Sequence, residues 1–549
     1  MAISHELSSL GRILDVEERK LPAKEGSSIA LIEDHGDDHP SHLVTYDQLR
    51  AWVSSAVSVT AGSAPWKAGD VVGLVAPNSV EFVVAFLAIV EAGAVVAPLN
   101  PAYTLDEFTF YLKDADAQAV VVLQVTESRQ SGRKGSTQEE WKQHPAWHAA
   151  ASLGISVVEI DIRPENGGDA DWLVRREGRR ASQSESPSLA LTLSSQSIAL
   201  FLHTSGTTSR PKGVPLSHIN LITSVRNIAQ TYDLSFRDKT CLVMPLFHVH
   251  GLMAGLLATL STGGTVVLPP GGKFSASSFW GCITRHKVTW YTAVPTIHQI
   301  LLGRKDKDYP SEHPPKLRFI RSCSAALAPA VLVEMEQCFH APVLEAYAMT
   351  EASHQISSNP LPDKRPRVPG SVGIGQNVEV AIANDRGDFL DAGQEGEICI
   401  RGQNVMEGYK NNPEANSASF LAGWFRTGDQ GTLDGAGYIR ITGRIKEMIN
   451  RGGEKISPLE VDAALLSHPH IAEAVSFGVP DVKYGEEINA AIVPSAGSKL
   501  STKELKEFLA GRIAPFKIPK QFFFTEALPR TATGKIQRRK VAEHFHAMQ

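Results

Sequence analysis

Short apolar runs alternating with helix-length segments over the first two hundred residues constrain this chain more than any other feature. Val71–Val75 is a brief apolar run. Asn78 with Glu81 three residues later then reads as a capping-box start for a helix over Val80–Ala92, ended by Gly93. Ala94–Pro98 and Ala119–Leu123 read as the next strands. Strands separated by helices of this length argue for a parallel or mixed sheet with helical crossovers, so the expected class is α/β. No repeat at a period of 20–50 residues is found, which excludes a solenoid.

At 549 residues the chain is too long for a single core. The last hundred residues have a different texture. Ser457-Pro458-Leu459-Glu460 reads as a capping box with proline at the first helical position, opening a helix through Leu466. Ala474–Val479, Ile488–Val493 and Gln521–Phe524 read as strands, and Ser501 with Glu504 opens a further helix. The expected organisation is a large multi-sheet α/β domain over 1–444 and a small α+β domain over 445–549. Glycines 443, 452 and 453 mark the junction near Arg444–Lys446. Two polar stretches, Thr126–Gln143 and the basic then serine-rich Arg175–Pro187, read as solvated surface loops, with a docking or phosphorylation site as the alternative for the second.

Composition removes several function classes. Apolar residues make up 42% of the chain and charged ones 21%, which excludes a disordered chain. Lys plus Arg 54 against Asp plus Glu 59 gives a formal charge of −5, with no sign of a basic nucleic-acid face. The five cysteines are odd in number and form no C-x-x-C pair, so a reducing compartment is expected and a zinc ribbon is not. The most apolar stretch, Phe82–Val90, is far short of the roughly 18 residues that span a bilayer, so no membrane partner is expected. The start lacks a signal-peptide pattern and the C-terminal His-Ala-Met-Gln is not a Ser-Lys-Leu address. Cytosol is the expected location and peroxisome the alternative. Monomer and homo-oligomer both stay open.

The chemistry begins at Ile198–Leu202, an apolar run leading into Thr204-Ser-Gly-Thr-Thr-Ser-Arg-Pro-Lys212-Gly213. Hydroxyls, glycines and a lysine make a loop rich in donors for phosphate oxygens. It fails the Walker pattern, because Pro211 precedes the lysine and Gly213 follows it. A P-loop NTPase is therefore disfavoured.

Thr204–Gly213 resembles the phosphate-binding signature of the adenylate-forming superfamily: acyl-CoA synthetases, aryl and 4-coumarate-CoA ligases, luciferases and peptide-synthetase adenylation domains. Four further segments follow in that superfamily's order. Tyr347-Ala-Met-Thr-Glu351 is similar to its adenine and magnesium motif, and Trp424-Phe-Arg-Thr-Gly-Asp429 to its ribose motif. Gly443-Arg-Ile-Lys446-Glu-Met-Ile resembles its hinge, and Pro529-Arg-Thr-Ala-Thr-Gly-Lys535 its C-terminal lysine motif. The resemblance runs from about residue 200 to the end of the sequence.

The resemblance implies two half-reactions with ATP, Mg²⁺ and coenzyme A as co-substrate. A carboxylate attacks the α-phosphate of ATP to give acyl-adenylate and pyrophosphate, and a thiol then displaces AMP. It implies ATP contacts from Thr204, Ser205, Gly206, Thr207, Thr208 and Lys212, and from Glu345, Ala346 and Tyr347. It implies a phosphate hydrogen bond from Thr350, a Mg²⁺ ligand at Glu351, ribose acceptance at Asp429, and a ribose or phosphate contact from Arg444. Lys535 would bridge the acyl carboxylate and the phosphate. Lys446 would be the pivot of a large rotation of a mobile C-terminal domain. Lys455 or the Arg538-Arg539-Lys540 cluster would then meet coenzyme A phosphates, or that cluster is simply a solvated helix face.

The acyl pocket is where this chain departs from many relatives. Ala346 and Ala348 stand where those carry glycines, and Ser322-Cys-Ser324 replaces a small apolar segment. His248, His250 and His354 add imidazoles. Burying such groups unpaired would cost roughly 1–3 kcal/mol each, so a fatty or aromatic acyl chain fits poorly and a substrate with a polar far end fits well. The whole set resembles the oxalyl-CoA synthetases of plants and fungi. That implies a small dicarboxylate substrate, oxalate, with His248, Ser324 and His354 as candidate contacts. For His248 the alternative is a gate beside the adenylate. A metal role for His248-x-His250 lacks a third ligand at zinc-site spacing. A ligase for 4-coumarate or another acid, a carrier-protein-loading adenylation domain and a luciferase-like oxygenase share the fold and stay open.

Overall fold

The computed structural model describes Leu10 and residues 13–14, 28–37, 39–123, 143–160, 194–204, 211–531 and 534–546. The Arg175–Pro187 stretch lies outside them, as does all of Thr126–Gln143 but its last residue. The fold is α/β, with a large N-terminal domain and a smaller C-terminal one. The chain sorts into two compact units. The first comprises Met1–Thr292, Met349–His354 and Gln403–Asn416; the second comprises Ala293–Ala348, Gln355–Gly402 and Ser417–Gln549.

In the first unit, the strands Ser156–Ile160, Ala117–Leu123, Val71–Val75, Val95–Leu99, Ile198–His203 and Gly213–Ser217 lie side by side in that order. All these pairs are parallel except the last, which is an antiparallel hairpin. The helix Val80–Glu91 buries every residue but its two glutamates. An all-round apolar helix belongs inside a protein, and the unbroken apolar run from Phe82 to Val90 is how the sequence announces it. Asn78 does not cap it. Ser79 does, accepting the Phe82 N–H, while the Asn78 amide donates to the Met244 carbonyl and accepts from the Leu246 N–H. A second row of strands in this unit runs Trp290–Ala293, Lys239–Cys241, Thr265–Leu268, Ile29–Glu33 and His42–Thr45.

In the second unit, Phe319–Ser322 pairs in parallel with Val343–Met349. An antiparallel sheet is built from Glu379–Ala383, Glu395–Arg401, Trp424–Leu433 and Ile439–Arg444. The C-terminal sheet joins Ile449–Arg451, Glu454–Ile456, Ile471–Asp481, Gly485–Pro494 and Gln521–Phe524. One face of it is covered by the helices Pro458–Leu466 and Thr502–Ala510, around Ile449, Leu465, Ile488 and Leu505. The other is covered by the helix Arg538–His546, through Val541 and Phe545 against Phe477.

Ser501 and Glu504 form the expected capping box. Ser457 does not: its hydroxyl donates to the Thr442 carbonyl instead, and Pro458 alone begins that helix. Proline at the first helical position has no N–H to leave unsatisfied and its fixed φ suits a helix start. No described helix is long and apolar enough to cross a membrane.

Candidate functional site

The phosphate-type loop is the turn of the Ile198–His203 and Gly213–Ser217 hairpin, in which His203 faces Gly213. Its two ends are tied together: the Thr204 N–H donates to the Lys212 carbonyl at 3.0 Å, and the Lys212 N–H donates to Thr204 Oγ1 at 3.3 Å. A Cβ at Gly213 would lie 2.5 Å from the tip of the Phe201 ring, so any side chain there would have to displace that ring. Ser205, Gly206, Thr207 and Thr208 lie outside the described residues.

In the same unit, Thr350 and buried Glu351 sit in a 3₁₀ turn, Thr350–Ala352. Three bonds fix the turn. The Met406 N–H donates to the Glu351 carbonyl at 2.8 Å, the Asn404 amide to that of Ala352 at 3.0 Å, and the Ser224 hydroxyl to that of Ser353 at 2.6 Å. The Tyr409 hydroxyl donates to Glu351 Oε1 at 2.8 Å, and Lys212 Nζ lies 3.8 Å from the centroid of the Tyr409 ring. Among the described residues, Glu351 Oε2 receives no hydrogen bond from a side chain or backbone. A buried carboxylate with one oxygen oriented and one available can hold a hard cation such as Mg²⁺.

Beyond the turn the backbone is strained: Ser353 has φ 49° and His354 φ 91°, values L-residues seldom adopt. The buried His354 ring stacks on His250, with centroids 5.1 Å apart and planes tilted by 26°. His250 opens a π-helix, His250–Leu257, and its Nε2 meets Thr292 Oγ1 at 2.6 Å. The His250 N–H donates to His248 Nδ1 at 3.2 Å. That bond makes Nδ1 the acceptor and leaves the proton of half-buried His248 on Nε2. Gly251 admits no side chain, since a Cβ would meet the Pro245 carbonyl oxygen at 2.3 Å. Three histidines therefore share one small region. This does not make them a metal centre, because His250 is held by Thr292 and packs ring against ring.

The second unit holds the other group. Asp429, on Trp424–Leu433, faces Arg444 across the sheet and accepts from its Nε at 2.7 Å. Its second oxygen accepts from the buried Tyr347 hydroxyl at 2.5 Å. Each carboxylate oxygen thus already has one donor, and acceptance from a ribose would use the remaining lone pairs. Burial and the adjacent carboxylate push the Tyr347 phenol well above its usual range. The Asp429 charge raises the Arg444 guanidinium further, so it is always a cation.

Lys535 belongs to this group. The Lys535 N–H donates to Thr531 Oγ1 at 3.1 Å and its carbonyl accepts from the Thr531 N–H at 2.8 Å. Gly534 takes φ 82° between them, and its carbonyl accepts from Thr296 Oγ1 at 3.1 Å. Arg530 Nη1 donates to the same hydroxyl at 2.8 Å. The Lys535 side chain keeps access to solvent, yet dense surrounding protein desolvates its ammonium. That burial and the Arg444 charge lower its pKa, against the pull of Asp429, Glu447 and Cys323. A depressed, solvent-reachable lysine beside a nucleotide-type carboxylate is a functional signature more often than a structural one.

Glu345 is buried and accepts the Gly370 N–H at 3.1 Å. Burial pushes its carboxyl up to about 7, with the Gly370 bond and Arg440 pulling the other way. Between about 4.5 and 7 the folded state therefore holds a proton that the unfolded chain has lost, so stability falls as pH rises through that window. Glu345→Gln, which cannot ionise, should raise unfolding free energy at pH 8 by up to about 3 kcal/mol and change nothing at pH 4. Urea titrations at the two pH values check this, and an equal effect at both would refute the assignment.

Other sequence candidates fare differently. Ser324 follows Phe319–Ser322 in the second unit, half-buried with φ 72°. Lys446 is exposed in the 3₁₀ turn Ile445–Glu447. Arg538 is not a free phosphate contact: it bonds Glu447 at 3.2 Å, Asp462 at 2.9 Å and the Ser476 carbonyl. Arg539 pairs with Glu543 on its own helix. Asp34, Cys282 and His286 bring ligand-type atoms within 4.8 Å of one another. Arg285 Nη1 already donates to both Asp34 oxygens, at 2.8 and 2.6 Å, so that cluster is an ion pair rather than a cation site. Sequence reasoning missed Tyr409 altogether, because nothing near it marks an aromatic whose partners lie far away along the chain.

Comparison with known proteins places the chain in a family. The model for AMP-binding enzymes matches residues 19–410, and that for the AMP-binding enzyme C-terminal domain matches 460–535. The chain is 51% identical to the oxalate–CoA ligase of Arabidopsis thaliana over 502 residues, covering 91% of this chain and 93% of that one. It is 47% identical to the oxalate–CoA ligase of Saccharomyces cerevisiae over 491 residues, 87% of each. The crystal structure of ATP-bound MatB from Rhodopseudomonas palustris superposes with a TM-score of 0.81 at 28% identity, covering 98% of this chain and 99% of that one. Matched by both models and by relatives along nearly its whole length, the chain belongs to the AMP-binding enzyme family.

Proposed function

We propose that this protein is an ATP-dependent acid–CoA ligase that adenylates oxalate and transfers the oxalyl group to coenzyme A. One oxalate oxygen attacks the α-phosphorus and the bond to pyrophosphate breaks. The coenzyme A thiolate then attacks the acyl carbon and the bond to AMP breaks. The observation that carries the choice of acid is the buried His354 imidazole, stacked on His250 and three residues from Glu351. The second carboxylate of oxalate would give such an imidazole a charged acceptor, which an apolar acyl group does not. The printed activity of the two relatives supports the same acid.

In this reading Thr204, Thr350, Lys212 and the intervening loop hold phosphates. Asp429, Arg444 and Tyr347 hold the ribose, with Glu345 and Ala346 beside the adenine. Lys535 neutralises charge between carboxylate and α-phosphate. Glu351 would hold Mg²⁺, which supplies electrostatic stabilisation of the phosphoryl oxygens. His248, Ser324 and His354 would receive the second carboxylate of oxalate. The five free thiols suit a reducing compartment, and cytosol is the location proposed.

The domain boundary belongs to the proposal as well: 1–444 and 445–549, with Lys446 the pivot. Arg444 is the last residue laddered into the Asp429 sheet, whereas Glu447 is tied to Arg538 of the terminal helix. Only Ile445 and Lys446 lie between those anchors. Proline fits a 3₁₀ residue, whose φ is already near −65°, but forbids large changes. Lys446→Pro should therefore leave adenylation near wild type and lower transfer to coenzyme A. Unchanged overall turnover in a coupled assay would remove Lys446 as pivot.

The direct test is AMP formation with ATP, Mg²⁺ and coenzyme A across a panel of acids. Oxalate should give the highest kcat/KM. A preference for 4-coumarate or another monocarboxylate would replace the oxalate reading, and no AMP with any acid would refute the ligase itself.

A further inference from the structure

We propose that Tyr409 is a positioning residue that sets the Glu351 carboxylate and the Lys212 ammonium for a metal–nucleotide. The proposal rests on the reading of Glu351 as the Mg²⁺ ligand, and it adds a residue that the sequence did not disclose. Tyr409 is buried and touches both groups with different parts of its side chain. Its hydroxyl donates to Glu351 Oε1 at 2.8 Å, and its ring face lies 3.8 Å from Lys212 Nζ.

The ring cannot drift, because its own backbone is clamped. The Tyr409 N–H donates to Asn416 Oδ1 at 2.7 Å, and the Asn416 amide donates back to the Tyr409 carbonyl at 3.0 Å. The next residue's N–H donates to the Gly213 carbonyl at 3.0 Å, where the phosphate-type loop ends. Three residues earlier, the Met406 N–H donates to the Glu351 carbonyl. Gln403–Asn416 therefore connects the loop's closing strand with the Glu351 turn, and Tyr409 is the side chain that reaches both functional groups.

The chemistry follows from the two contacts. A hydroxyl donating to one oxygen fixes the rotation of the carboxylate and directs the other oxygen outward, as outer-shell donors do for metal ligands. The ring face gives the lysine a cation–π resting place that costs it little to leave when phosphate arrives.

Two variants separate these contacts. Tyr409→Phe removes the hydroxyl and keeps the ring, and Tyr409→Leu removes both. The probe is Mn²⁺, followed by electron paramagnetic resonance in the presence of a non-hydrolysable ATP analogue, with thermal melting alongside. Tyr409→Phe should weaken Mn²⁺ binding by about tenfold at an unchanged melting temperature. Its loss of ATP–pyrophosphate exchange should be recovered by raising Mg²⁺. Tyr409→Leu should in addition raise the KM for ATP several-fold even at saturating Mg²⁺. Wild-type Mn²⁺ affinity in Tyr409→Phe would overturn the proposal, as would parallel losses of Mn²⁺ binding, nucleotide binding and melting temperature. Mn²⁺ binding needs no acid substrate, so failure of the oxalate reading would show in the acid panel and not here.

Discussion

Lys535→Ala should slow adenylate formation by about 10²- to 10³-fold while thioester formation from a pre-made acyl-adenylate stays near wild type. Two anions must meet in the first half-reaction, and a fixed cation at the meeting point is worth far more in a water-poor cleft than in solution. The ammonium is held by its backbone: Thr531 closes the turn, Gly534 supplies its positive φ, and Thr296 anchors the Gly534 carbonyl. In the second half-reaction the proposed rotation about Lys446 takes the C-terminal domain, and Lys535 with it, away from the phosphate, so loss of the ammonium should matter little there. The lowered Lys535 pKa adds a pH signature. Lysine acts here as its protonated form, so adenylation should fall on the alkaline side at a lower pH than an ordinary lysine would allow. Single-turnover assays of each half-reaction decide the matter. Equal losses in both would mean that Lys535 supports the fold or the nucleotide generally and has no special part in adenylation.

How much of this was legible in the sequence depends on the range of the interaction. Local signals read well: the buried helix after Ser79, the Ser501–Glu504 box and the strand at Gln521–Phe524 all depend on neighbours within a few residues. Capping failed where a tertiary partner outbid the local one. Asn78 turned to the backbone at Met244 and Leu246, and Ser457 turned to Thr442. Motif residues stood out as candidates because their spacing is short and chemically unusual. Their partners were not: that Asp429 bonds both Tyr347 and Arg444, or that Arg538 is consumed by Asp462 and Glu447, is written only in strand register and helix packing. Tyr409 is the extreme case, a single aromatic whose meaning lies entirely in two distant side chains.

Replacing Ser324 or His354 by alanine should raise the KM for oxalate by roughly 10- to 150-fold each, the cost of about 1.5–3 kcal/mol for a hydrogen bond to a charged group. Acetate, which has one carboxylate and similar size, should lose much less in ATP–pyrophosphate exchange. The difference is electrostatic. The second oxalate carboxylate stays ionised near neutral pH, and on entering a confined pocket it must exchange hydrating water for fixed donors. Both candidate donors sit on backbone that resists relaxation, with φ 72° at Ser324 and φ 91° at His354. Such conformations cost about 1–3 kcal/mol for a residue with a side chain. Glycine would relieve that strain at either position, and a hydroxyl or imidazole kept there points to work done by the side chain. Alanine keeps the Cβ and hence the strain, so it removes the donor while leaving the backbone cost in place. Glycine at position 354 is the companion variant. If the imidazole serves oxalate, His354→Gly should lose oxalate affinity as His354→Ala does, whatever balance the relieved strain and the emptied ring site strike in the melting temperature. If both alanine variants keep normal oxalate kinetics, the two side chains are only pocket wall. The acid would then have to be chosen by the width of the channel at Ala346 and Ala348, which would admit acetate as readily as oxalate.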